Sequence, residues 1–242
     1  MISSQISQNR TDDMAFTVKQ AIDLAVMGLP QMFDEKSGLF CYRLKQTSNG
    51  LVRDGISRRY TIITLLGLNR LEESGRQSPI ATASVLDKLL INLDWIDNIG
   101  DLGLLLWLSA AMAPERLASI ESRLKLDDAL TRYADAKQGR TMELSWFLAG
   151  LCHWALAVPA KAPHLKALTV ETYGRVINNQ GERGFFRHTP RNSGLSGKLR
   201  GWIGSFADQV YPIYALTHFY QAYKNQRAAE QALCCAHSLC EA

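Results

Sequence analysis

Apolar residues recur at the three- and four-residue spacing of amphipathic helices in nine stretches: residues 14–28, 58–73, 80–92, 101–113, 117–135, 141–157, 164–179, 206–224 and 226–240. Pro30, Pro79, Pro114, Pro159 and Pro163 punctuate them, with glycines such as Gly38, Gly75, Gly139 and Gly181. Extended alternation of apolar and polar residues is nearly absent. The pattern predicts an all-α protein.

The helices are of two alternating kinds. Those at 58–73, 101–113, 141–157 and 206–224 are apolar almost all round, as in Leu102-Gly103-Leu104-Leu105-Leu106, and so are expected to be buried on every side. The other five carry one apolar stripe and one charged face. Such alternation predicts hairpins of inner and outer helices, arranged as a double ring or layered solenoid. Small residues in the middle of the inner helices, Gly67, Ala110, Gly150 and Ala215, align them, which makes Tyr60, Gly103, Glu143 and Asp208 equivalent positions two turns earlier. Gly38-Leu39-Phe40-Cys41-Tyr42-Arg43 and Gly184-Phe185-Phe186-Arg187-His188 read as long aromatic loops at one end of the array, where insertions are tolerated and function gathers.

Composition narrows the classes. Residues 1–13 are polar and read as a disordered tail without the apolar core of a secretory signal, and no apolar run is long enough to span a membrane. The expected location is cytoplasmic, with no membrane partner. A formal charge of +4 spread through the helices gives no support for nucleic-acid binding. One local basic cluster, Arg183, Arg187, His188, Arg191, Lys198 and Arg200, reads as a solvated loop or an anion contact. Five cysteines fit no disulfide framework. Cys234, His237 and Cys240 share a helical face but lack a further ligand, so neither a metal nor a cofactor is expected.

Four stretches carry a family resemblance: Gly38-Leu39-Phe40, Gly55-Ile56-Ser57-Arg58-Arg59-Tyr60-Thr61, Thr141-Met142-Glu143-Leu144-Ser145-Trp146, and Phe206-Ala207-Asp208-Gln209-Val210-Tyr211. In pattern the chain resembles the α/α-toroid enzymes of the six-hairpin glycosidase and N-acylglucosamine 2-epimerase type. The resemblance implies a partial α/α-toroid of about nine helices over residues 14–242, a single domain truncated or open at its C-terminal end, where a protein partner or a second copy would dock against Val210, Ile213 and Leu216. It also implies a saccharide or other small polar ligand in the funnel at the inner-helix N-termini. The acid motif of terpenoid cyclases and the zinc ligands of lanthionine cyclases have no counterpart here.

That reading singles out Glu143 and Asp208 as an acid and base for glycoside hydrolysis or sugar epimerisation. Each also suits a plainer role. Ser205-Phe206-Ala207-Asp208 has the form of a capping box, and Glu143 sits where a carboxylate favours a helix N-terminus. Phe40, Tyr42, Arg59, Tyr60, Phe186, Arg187, His188, Trp202 and Tyr211 are the expected substrate contacts, through stacking on sugar faces and pairing with hydroxyls. The aromatic ones serve equally as wedges that pin loops. Asp54 reads as a turn residue, His153 and His218 as core histidines, and Trp107 and Trp146 as helix core. A non-catalytic scaffold and an isoprenoid-handling toroid remain as alternatives.

Overall fold

The computed structural model describes residues 2–134, 139–190 and 204–241, with side chains from Phe16 onward. Ten α-helices and three strands lie among the described residues. Contacts divide the chain into two compact units, Met1–Ile91 and Asn92–Ala242, where periodicity suggested one domain. The first helix starts at Ile2, inside the stretch expected as a tail.

The first unit runs α1 (Ile2–Met32), β1 (Phe33–Asp34), β2 (Leu39–Thr47), β3 (Gly50–Ile56), α2 (Arg58–Glu73) and α3 (Thr82–Ile91). Its three-stranded antiparallel sheet, ordered β1-β2-β3, corrects the all-α expectation. The stretch taken as an aromatic loop is β2, turned tightly onto β3 where Thr47 pairs with Gly50. Gly50 takes φ 101, a left-handed conformation that the preceding Ser48-Asn49 turn needs and that costs glycine little. The hairpin escapes a periodicity search because little of it is buried. Only Phe40 and Cys41 at its base reach the core, and the rest of both strands lies exposed or half-exposed without an apolar face. Phe40 packs with Leu68 and Leu71 of α2 and with Val26, Leu29, Met32 and Phe33. Helix α2 begins where expected: Ser57, in extended backbone, accepts a hydrogen bond from the Tyr60 N–H.

The second unit contains α4 (Ile99–Met112), α5 (Leu117–Leu124), α6 (Ala129–Tyr133), α7 (Thr141–Ala157), α8 (Ala162–Ile177), α9 (Ala207–Tyr223) and α10 (Gln226–Glu241). The helix expected over 117–135 is broken at Lys125, whose φ of 47 ends α5 in a left-handed cap. Helix α7 packs between α4 and α9, while α8 packs on α7 and α10 on α9. The three helices that are most apolar in sequence here, α4, α7 and α9, thus pack side by side, with α8 and α10 against them.

The three inner helices run parallel. A Cβ on Gly100 would meet Glu143 and Trp146, one on Gly103 would meet Phe147, and one on Gly150 would meet Gly103 and Leu106. Further along, Trp146 meets Tyr211 and His153 meets His218, both pairs separated by the same interval as Glu143 and Asp208. The equivalence of Glu143 with Asp208 thus has a spatial basis, whereas Gly103 lies about one turn below the level of Glu143 and beside Phe147.

Of the four helices expected to be buried all round, α4 and α7 come closest, with Trp107 of α4 and Glu143 and His153 of α7 only half-buried. Helix α2 buries one stripe, Thr61, Ile62, Leu65, Leu68 and Leu71, and α9 buries Asp208, Gln209, Pro212, Ala215, Leu216 and Phe219. Leu216, expected on a free edge, is wholly buried, while Val210 is 38% exposed. Apolarity of composition overstates burial here because Tyr, Ala and Gly count as apolar yet sit comfortably at a half-wet surface. No single helix among the described residues is long and apolar enough to cross a membrane.

Candidate functional site

The second unit gathers its chemistry at the N-terminal ends and on one shared face of α4, α7 and α9. The loop after α8 doubles back at Gly184, which takes φ 82, and Gln180 bridges to Phe186. Its returning arm is then pinned on both sides. Thr141, first residue of α7, donates its N–H to the His188 carbonyl at 3.0 Å and its hydroxyl to the Arg187 carbonyl. Gln209 of α9 accepts the Phe186 N–H at 2.7 Å and donates to the Phe186 carbonyl at 2.8 Å, so a side-chain amide stands in for a neighbouring strand.

This strap sets His188 against Asp208. The imidazole Nδ1 lies 3.1 Å from Asp208 Oδ2 and 3.2 Å from Oδ1. The expected capping box is present as well: Asp208 Oδ2 accepts from the Ser205 N–H at 2.9 Å, and the Asp208 N–H donates to Ser205 Oγ at 3.2 Å. Ser205 Oγ also lies 2.8 Å from Asp208 Oδ2. Asp208 is 1% exposed, so its carboxylate is enclosed by its own cap and by His188. Glu143 differs. Its side chain is 13% exposed and pairs with Arg140 at 3.4 Å.

Glu143 and Trp146 both lie over Gly100, and the Trp146 ring meets the Tyr211 ring edge-on at 5.1 Å. About 15 Å from Glu143 along α7, at 1.5 Å per residue, a second layer follows. Trp107 stacks on His153 at 5.0 Å and on Tyr214 at 4.7 Å, and His218 lies 4.4 Å from His153 and 4.2 Å from Tyr214. His153 Nε2 is 2.8 Å from the Tyr214 hydroxyl, and His218 Nδ1 is 3.0 Å from the Tyr214 carbonyl. All four residues are half-buried. The histidines and Trp107, expected as core, are instead members of a half-exposed ring cluster. Their signal was present in sequence: His153 and His218 occupy equivalent positions in the register that pairs Glu143 with Asp208.

The remaining expected contacts scatter. Phe186 is 2% exposed and Phe40 is 1% exposed, so both are wedges in their cores and neither offers a face to a ligand. Arg187 lines, with Arg183, Phe185 and Phe206, an open cleft of about 860 Å³. Tyr42, Arg59 and Tyr60 belong to the first unit with Phe40. There the Tyr42 and Tyr60 rings pair at 5.5 Å. Arg43 lies over Tyr42 and bridges Asp54 at 2.6 Å; Asp54 is thus a strand residue, and the turn role expected for it does not hold. Trp202, Arg191, Lys198 and Arg200 lie outside the described residues.

No group of three or more His, Cys, Asp or Glu is placed to hold a metal among the described residues. The cysteines divide by burial: Cys41, Cys152 and Cys235 are buried, Cys234 and Cys240 exposed. Burial pushes the Cys152 thiol far above its ordinary value, and burial with the neighbouring Cys234 pushes Cys235 up to about 11. A thiol reagent near neutral pH is expected to modify Cys234 and Cys240 rapidly and the other three only after unfolding, as peptide mapping would show. Early modification of Cys152 would contradict the packing of α7.

No protein-family model matches the chain, and no curated protein or solved structure matches it significantly.

Proposed function

We propose that the second unit is the ligand-binding part of an open α/α-toroid that handles a saccharide. The observation that carries this reading is the run of half-buried rings Tyr211, Tyr214, Trp107, His153 and His218 on α4, α7 and α9, with the Glu143 carboxylate towards its helix-N-terminal end. Sugars present C–H faces that stack on aromatic rings and hydroxyl edges that need donors and acceptors beside those rings. Trp107, Tyr211 and Tyr214 supply the first kind of surface; Glu143, His153, His188 and His218 supply the second. Glu143, partly exposed, is the acid of any proton chemistry on the bound sugar.

Calorimetry of the full chain with a panel of neutral and acidic oligosaccharides tests the reading. Trp107→Ala is expected to weaken binding of any responding sugar about tenfold, in line with about 1.4 kcal/mol for one lost stacking surface. Glu143→Gln should leave affinity within about threefold and abolish any turnover. A panel with no binder, or a binder indifferent to Trp107, would end the proposal.

One observation favours a second reading, a partner-binding module. Phe16, Leu24 and Met27 share one side of α1 and are 62%, 66% and 65% exposed. Light scattering behind size-exclusion chromatography separates the two: a monomer with a sugar ligand supports the first, and a complex lost on Met27→Glu supports the second.

A further inference from the structure

We infer that His188 is a proton-transferring residue of the second unit, and that Asp208 acts as its positioning residue. The sequence pattern pointed to Asp208 itself. Its carboxylate, however, is 1% exposed and is committed to the Ser205 N–H, the Ser205 hydroxyl and the His188 ring. No ligand atom reaches it without breaking the cap of α9.

The same contacts define the state of His188. An ionised carboxylate only accepts hydrogen bonds, so the Nδ1 facing Asp208 carries a hydrogen, and whenever the ring is neutral its lone pair lies on Nε2. The His188 side chain is 32% exposed against 1% for Asp208, so the ring is the part of this pair that solvent and ligands reach. Its backbone does not drift. The His188 carbonyl is held by the Thr141 N–H, the Arg187 N–H by the Asn179 carbonyl, and Phe186 by both ends of the Gln209 amide. A base needs this arrangement: an accessible lone pair, a fixed ring, and an anion behind it that stabilises the imidazolium.

The step it performs is a proton transfer. Nε2 takes the proton of an O–H group, from a sugar hydroxyl or a water, and the ring becomes imidazolium against the Asp208 carboxylate. The reverse transfer returns that proton from Nε2 to a product oxygen, which restores the starting state with no redox change. Only the identity of that O–H group rests on the saccharide reading; the tautomer of His188 does not.

The experiment therefore needs no ligand. Imidazole nitrogen NMR of the ¹⁵N-labelled full chain, with the His188 signals assigned by His188→Gln, is expected to show neutral His188 with hydrogen on Nδ1 and a pyridine-type Nε2. Asp208→Asn should shift Nε2 towards the pyrrole type. Ser205→Ala, which removes the cap and leaves the carboxylate, should not. Diethyl pyrocarbonate should acylate His188 in the wild-type chain and more slowly in Asp208→Asn. A wild-type His188 with hydrogen on Nε2, a tautomer indifferent to Asp208→Asn, or a His188 inert to the reagent would overturn the assignment. Such a result leaves the saccharide reading standing, whereas the expected tautomer in a chain that binds no sugar would overturn only the latter.

Discussion

Gly103→Ala is expected to cost the second unit about 3 kcal/mol or more, the largest effect of any one-methyl change in the protein. A Cβ at that position would lie 2.3 Å from Cα and N of Phe147 and 2.4 Å from the Trp146 carbonyl carbon. These are backbone atoms of a largely buried helix, so no side chain can swing aside, and α4 must move away from α7. From the opposite helix, a Cβ on Gly150 would lie 2.3 Å from the Gly103 carbonyl oxygen, which makes this a reciprocal close approach. In a unit of this size each kcal/mol shifts the melting temperature by roughly 2–4 °C, so a fall of roughly 6–12 °C is expected by calorimetry. Gly174→Ala in α8 is the control. Nothing lies within 4 Å of its Cβ position, and the gain in helix propensity should raise stability by about 0.5–1 kcal/mol. Equal effects of the two substitutions would mean that α4 and α7 are not in contact through their glycines.

Gln209→Leu is expected to cost about 3 kcal/mol by a different route. The substitution roughly keeps volume but leaves the buried Phe186 N–H and carbonyl without partners, each worth about 1–3 kcal/mol when orphaned. Hydrogen exchange at the Phe186 amide should rise to the rate of an open loop. Gln209→Glu retains an acceptor for the N–H and sets a carboxylate oxygen against the Phe186 carbonyl, so it should be no better tolerated. Because the same strap carries His188, both variants are expected to blur the His188 tautomer as well. A Phe186 amide that stays protected in Gln209→Leu would show that Thr141 alone holds the strap.

What the sequence made legible follows from what each pattern measures. Periodicity reports burial, so it placed α2 and α7 at their observed limits, Arg58–Glu73 and Thr141–Ala157, and located most other helices within a few residues. It was blind to the β2–β3 hairpin, whose strands bury almost nothing beyond Phe40 and Cys41, although Asn49-Gly50 is a turn signal at the observed place. It missed the first dozen residues of α1, which begins at Ile2 and not at 14, and it could not foresee the break at Lys125, a left-handed residue with no glycine to announce it.

The site was legible in part. The capping box at Ser205 and Asp208 followed from local spacing, and the shared register of Glu143 and Asp208 matches the parallel packing of α7 and α9. The aromatic residues were harder, because a ring in a loop reads alike whether it faces a ligand or the core. Phe40 and Phe186 turned inward, whereas Trp107 and the histidines of α7 and α9, assigned to the core, meet on a half-exposed face. Gln209 was invisible because its partner, the Phe186 backbone, lies 23 residues away and carries no side-chain signature.

The central claim is that the α4, α7 and α9 face is where a saccharide lies. Indole N–H NMR signals followed during titration of the full chain with the oligosaccharide panel test it most directly. The signal of Trp107 should move and saturate with ligand, while that of Trp154, 1% exposed in the core, stays still. Indole signals that remain fixed through the whole panel would contradict it.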